Sequence, residues 1–118
     1  WDMTQKTVKK LLETEYSSEP GGISGNDDAG QMSAWYVFSA MGFYPVCPGS
    51  NEYQLSSPQF SKIVLTLDKE YYPGGKFILK AEKNHAGKIY KSVSLNKRKN
   101  GFSINNEQLK QGGKMIFR

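Results

Sequence analysis

The sequence predicts an α+β chain in which two helices precede a small antiparallel β-sandwich. Three observations carry this. Apolar residues recur at helical spacing before residue 45 and alternate with polar ones after it. A stretch with two prolines in four residues, Pro45-Val46-Cys47-Pro48, excludes helix between the two patterns. The charge balance changes sign at the same place. Residues 1–45 hold three lysines against six acids, net −3, and residues 46–118 hold thirteen Lys and Arg against five acids, net +8. The boundary therefore falls between a helical segment, 1–45, and a β segment, 46–118.

Residues 4–16 place Val8, Leu11, Leu12 and Tyr16 on one helical face, with Thr4 as the expected N-cap. Ser17-Ser18-Glu19-Pro20-Gly21-Gly22 then breaks the helix. A second helix is expected from about Asp28 to Met41, capped by Asp27 or Asp28 and closed by Gly42. Met32, Ala34, Trp35, Tyr36, Val37, Phe38, Ala40 and Met41 leave it almost no polar face. Such a helix must be surrounded by protein. It is either the central element of a small α+β core or a helix with neighbours outside this chain.

Alternating runs follow: Tyr53 and Leu55; Ile63, Leu65 and Leu67; Phe77, Leu79 and Ala81; Phe102 and Ile104; Met115 and Phe117. A run through Ile89, Val93 and Leu95 carries a phase slip near Tyr90. Turn signals at Tyr72-Pro73-Gly74-Gly75, Ala86-Gly87, Asn100-Gly101 and Gly112-Gly113 separate the strands, and Asn106 to Lys110 fits one helical turn.

Composition excludes several classes of function. Hydrophobic residues make up 37% and charged residues 23% of the 118, which fits one folded domain. No apolar run approaches the roughly 18–20 residues of a membrane span. Trp1-Asp2-Met3-Thr4 lacks the features of a signal peptide and begins mid-pattern, as a fragment would. Cys47 is a lone cysteine, so no internal disulfide forms. The lone His85 sits in a turn-like stretch and reads as a solvated loop histidine. The lysines are scattered singly along strands, and the run Lys97-Arg98-Lys99 precedes a turn. No nucleic-acid reader motif is present.

The chemistry-bearing segment is Gly25-Asn26-Asp27-Asp28-Ala29-Gly30-Gln31. Two adjacent carboxylates lie at the mouth of an apolar helix, and flanking glycines let backbone approach a ligand. The helix N-terminus stabilises negative charge, so at least one carboxylate stays ionised. An ionised, positioned carboxylate can bind a cation or act as a general base on water. Capping alone would account for one of the two aspartates. The spacing is neither that of an EF-hand nor that of a phosphate loop.

From Gly25-Asn26-Asp27-Asp28 through Gln31-Met32-Ser33-Ala34-Trp35-Tyr36 to Phe43-Tyr44-Pro45-Val46-Cys47-Pro48-Gly49-Ser50, the sequence closely resembles the C-terminal signature of glycoside hydrolase family 92. These are bacterial exo-acting α-mannosidases, many described as α-1,2-mannosidases. Tyr53, Ser57-Pro58, Phe60, the stretch Lys88 to Asn96 and Gly112-Gly113-Lys114-Met115-Ile116-Phe117 also look like that family. Ala29 stands where Cys is frequent and Ser24 where Pro or another small residue is usual. Neither change removes a carboxylate.

The resemblance implies a large enzyme with an N-terminal β-sandwich and an (α/α)6 barrel, which inverts anomeric configuration and needs calcium. Residues 1–45 would be the last helices of that barrel. The Asn-Asp-Asp loop would supply the general base, Asp28 first and Asp27 second, with Asn26 shaping the substrate site. The resemblance assigns no calcium ligand among these residues. The family's general acid is a glutamate on a loop that nothing here resembles; Glu13, Glu15 and Glu19 read as helix-surface charges. The expected partners are mannose-containing glycans and the rest of a longer chain, in a periplasmic, cell-surface or secreted setting. The alternative is a non-catalytic carbohydrate-binding or structural β-sandwich, with Tyr71, Tyr72 and Tyr90 as candidate sugar-stacking residues.

Overall fold

The computed structural model describes residues 1–82 and 88–118. His85 and the Ala86-Gly87 turn lie outside the described residues. The α+β class stands. Helix α1 spans Asp2–Thr14, a 3-10 turn spans Asp28–Gly30, and helix α2 spans Gln31–Met41. Strands β1 (Phe43–Tyr44), β2 (Glu52–Leu55), β3 (Lys62–Thr66) and β4 (Lys76–Ala81) follow. The chain finishes with β5 (Val93–Leu95), β6 (Arg98–Asn100), β7 (Ser103–Asn105), helix α3 (Asn106–Lys110) and β8 (Gly113–Phe117).

Helix α1 starts two residues before its expected beginning, so Thr4 lies inside it and Trp1 is the N-cap, without a side-chain cap. The reason is tertiary. The Trp1 indole donates to the Leu55 carbonyl at 2.7 Å and its ring stacks on Phe102. The chain is thus tied to β2 before any local cap is needed. Helix α2 also starts later than Asp28. Ala29 (φ 53°) and Gly30 (φ 76°) are both left-handed, which ends the 3-10 turn and restarts the chain as α-helix at Gln31. Gly42 closes α2 in the left-handed region (φ 91°), and a side chain there would press on the Pro58 backbone.

The strands form two sheets, of order β1-β2-β7 and β3-β4-β8-β5-β6. Most pairs are antiparallel, as alternation suggests, but β4 and β8 run parallel. That pairing joins segments far apart in sequence, and a strand's alternation carries no direction. The edge strand β6 forms from the charged run read as a pre-turn segment. Its hairpin turn is Asn96-Lys97, both at positive φ (49° and 70°), between the paired Leu95 and Arg98.

One core serves both sheets. Phe43, Leu55 and Ile104 from the smaller sheet meet Phe77, Leu79, Val93, Met115 and Phe117 from the larger. Tyr90 is buried and edge-on to Phe117, so it is not available to stack on a sugar. Tyr71 is exposed and Tyr72 packs against the core. The phase slip near Tyr90 also has a cause. Buried Gln5 of α1 accepts from the Tyr90 backbone N–H (2.8 Å) and the Ser57 hydroxyl (2.6 Å), and donates to the Tyr90 carbonyl (2.9 Å). The Tyr90 backbone thus bonds to a helix side chain, outside the strand ladder.

Helix α2 is not a central core element. Only Ser39 and Ala40 are buried on it, while Tyr36 is 41% and Val37 52% exposed. Its other side packs through Phe38 on Phe43 and Trp35 on Tyr44. No helix among the described residues is long and apolar enough to cross a membrane.

Candidate active site

The loop between α1 and α2 is closed at its base by a bridge between Tyr16 and Ile23. Beyond it, Asn26, Asp27 and Asp28 lie together on an exposed stretch. The Asp27 carbonyl accepts from the Gly30 N–H at 2.9 Å, which folds the chain back on itself through the two left-handed residues.

That reversal gives the two aspartates different surroundings. One Asp27 oxygen accepts from the Ser33 backbone N–H at 2.9 Å, and the other accepts from the Ser33 hydroxyl. Ser33 is the third residue of α2, so Asp27 satisfies an otherwise orphan N–H of the helix start from an unusually distant position. The Ser33 hydroxyl, followed by the Ser33 N–H, holds the Asp27 carboxyl below the usual carboxylate range. Among the described residues, the Asp28 and Asn26 side chains make no hydrogen bond or ion pair. Asp28 contributes its backbone carbonyl to the turn, accepting from the Gln31 N–H.

Tyr16 fixes the start of α2 from the other side. Its hydroxyl donates to the Met32 carbonyl at 3.1 Å, and its ring stacks on Trp35 and tilts against Tyr36. Burial, then the nearby Asp27 carboxylate, raises the Tyr16 pKa, so the phenol stays a donor. A cleft of about 400 Å³ lies between Tyr16, Ser17, Ile23, Ser33, Tyr36 and Val37, beside the Asp27–Ser33 contact.

Ser33 and Tyr16 are the positioning residues that sequence reasoning missed. Asp27 and Ser33 are six apart, a spacing no simple cap uses. Only the paired left-handed residues make it meaningful, and Gly30 is their one visible sign. Glu15 also differs from expectation. It is the C-cap of α1, half-buried instead of a helix-surface charge. The Ser24 hydroxyl, then that of Thr14, lowers its pKa. A general acid needs the opposite shift. Glu13 is an exposed partner of Lys9, as expected, and Glu19 is exposed in the loop.

A calcium ion takes about six to eight oxygen ligands. Among the described residues no group of three or more His, Cys, Asp or Glu is placed to hold a metal. Both Asp27 oxygens are already committed to Ser33. The residues present do not make a calcium cage.

The profile of the glycosyl hydrolase family 92 catalytic domain matches residues 1–118. Among solved structures, the chain is 40% identical to a family GH92 inverting mannosidase from Bacteroides thetaiotaomicron, with a TM-score of 0.81 over 97% of this chain. It is 32% identical to a GH92 α-mannosidase from the same organism, solved with mannoimidazole, with a TM-score of 0.83 over 96% of this chain. It spans 15% of the length of each of these two. An uncharacterized secreted glycosidase of Arthroderma benhamiae is 31% identical over 61 residues, which cover 52% of this chain and 8% of that protein.

Proposed function

The chain belongs to glycosyl hydrolase family 92, and we propose that it supplies the water-activating loop of an inverting, calcium-dependent exo-α-mannosidase. The unequal state of the two aspartates carries the assignment. Asp27 is pinned by two Ser33 donors and held at low pKa, which makes it a poor proton acceptor and a good anchor. Asp28, next in the chain, keeps both oxygens for a ligand or a water. Asp28 is therefore the general base, Asp27 positions the loop, and Asn26 shapes the site around the terminal mannose.

Inversion runs in one displacement. Asp28 takes a proton from water as the water oxygen bonds to the anomeric carbon. The glycosidic bond breaks on the opposite face, and an acid protonates the departing oxygen. Base and acid stand about 6.5–9.5 Å apart, with water and sugar between them. Consecutive residues cannot span a sugar, so Asp27 and Asp28 are not that pair. The acid and most calcium ligands come from the remainder of a longer chain, and these 118 residues are inactive alone. In that enzyme residues 1–45 complete the barrel. Residues 46–118 brace it through the Gln5–Ser57–Tyr90 contacts and the Trp1–Leu55 bond. Its substrates are mannose-terminated glycans, with α-1,2 linkages as the first to test. A periplasmic, cell-surface or secreted setting accords with the secreted relative.

Asp28→Asn in the full-length enzyme is the test. We expect kcat to fall at least about 100-fold with KM little changed. Asp27→Asn should raise KM and lower kcat less. A near-normal kcat for Asp28→Asn would remove Asp28 as the base. The sugar released first should be β-mannose by NMR.

A further inference from the structure

We propose that the outer face of the five-stranded sheet docks on an anionic lipid bilayer. Strand register assembles this face from positions that look scattered in sequence. One row runs Lys62, Lys80, Ile116, Ser94 and Lys99 across β3, β4, β8, β5 and β6. The next runs Val64, Ile78 and Lys114, and Lys76 lies one step further along β4 opposite Thr66. The buried Phe77, Leu79, Met115 and Phe117 occupy the alternate positions, so these rows lie on the side away from the core, where Ser94 is covered by Arg118, whose guanidinium donates to its hydroxyl at 2.8 Å. Lys62, Lys76, Lys80, Lys99 and Lys114 are all exposed, and none forms an ion pair among the described residues. Arg118 at the margin is matched by Glu82.

Solubility alone does not account for this arrangement. Mixed signs keep a surface soluble, whereas five lysines without ion pairs, beside a Glu82 already offset by Arg118, leave a net positive face that builds a field. Lys62 and Lys80 stand directly opposite each other, a like-charge pair that costs stability. The lysines surround a branched aliphatic centre of Val64, Ile78 and Ile116, with Val64 45% exposed. This chemistry suits a phospholipid surface. Ammonium groups meet phosphates while the aliphatic centre lies against the headgroup boundary. The strand positions of the face offer no aromatic platform for a sugar ring, and the clefts beside α2 lie elsewhere. The inference is independent of the mannosidase reading.

Co-sedimentation tests it, using the chain and vesicles of phosphatidylcholine with phosphatidylglycerol in equal parts, against pure phosphatidylcholine. We expect binding to the anionic vesicles only, weakening as salt rises. Each lysine near such a surface is worth about a fivefold change in partition, so Lys80→Glu with Lys114→Glu should weaken binding at least about 25-fold. Lys80→Glu places an acid opposite Lys62, so that variant should melt no lower than the wild type, and lost binding is not lost folding. Lys6→Glu with Lys10→Glu on α1 changes net charge equally and should bind as the wild type does. Equal binding to neutral vesicles would assign attachment to the uncovered side of α2 and overturn the proposal. Equal loss in the α1 variant would overturn it by showing attraction to net charge alone. Tighter binding of dextran sulfate than of vesicles, with the same dependence on Lys80 and Lys114, would reassign the face to a soluble polyanion.

Discussion

Phe77, Leu79, Ala81, Met115 and Phe117 are wholly out of solvent, whereas on α2 only Ser39 and Ala40 are buried and Val37 is half exposed. The two regions have comparable claims to apolar residues but different closure. The sheets supply each other's missing face, so their alternation ends in a finished core. The helices cover each other along one side, with Tyr16, Trp35 and Tyr44 in contact and Tyr36 and Val37 left over. The aspartate loop sits on that unfinished side. The proposed chemistry thus falls in the region least complete in itself, and on that reading the complete region serves to hold it.

Stability should follow this division. Met115→Ala, in the shared core, should cost about 2–5 kcal/mol in urea denaturation. Val37→Ser on α2 should stay within about 0.5 kcal/mol of wild type. Equal costs would erase the contrast. Gln5→Ala tests the joint between the regions. It removes the acceptor shared by the Ser57 hydroxyl and the Tyr90 N–H, and should cost about 2–3 kcal/mol. A negligible cost would mean that apolar packing and the Trp1–Leu55 bond couple them without Gln5. The smallest effect is the most local. Ser33→Ala should let the Asp27 pKa rise toward the ordinary carboxylate range in a carboxyl NMR titration. The folded-state value is depressed, so the Ser33 contact stabilises above the ordinary carboxylate range. That stabilisation fades as pH falls through the folded value. An unchanged titration would mean that Ser33 does not hold Asp27.

The sequence made the sheet region's inward residues legible because strand alternation reports burial directly. It made Gly42 legible because a left-handed helix end favours glycine. It could not show that β4 and β8 run parallel, nor that Asn96-Lys97 forms a tight hairpin, because Lys97 at positive φ is not a residue such turns advertise. The helix boundaries moved for the same kind of reason. Trp1 is fixed by Leu55 and Phe102, and Gln5 by Ser57 and Tyr90, contacts that no local pattern records. At the site, Asn26, Asp27 and Asp28 were visible as residue types. What distinguishes Asp27 from Asp28 is Ser33, and that depends on the reversal at Ala29-Gly30.

Hydrolysis of an α-1,2-mannobiose by the isolated 118 residues in calcium, set beside the full-length enzyme, tests the account most directly. If Asp28 is the water-activating carboxylate and its acid lies elsewhere in a longer chain, the isolated chain should give no turnover while the full-length enzyme releases mannose. Sustained cleavage by the isolated chain would contradict the account at its root.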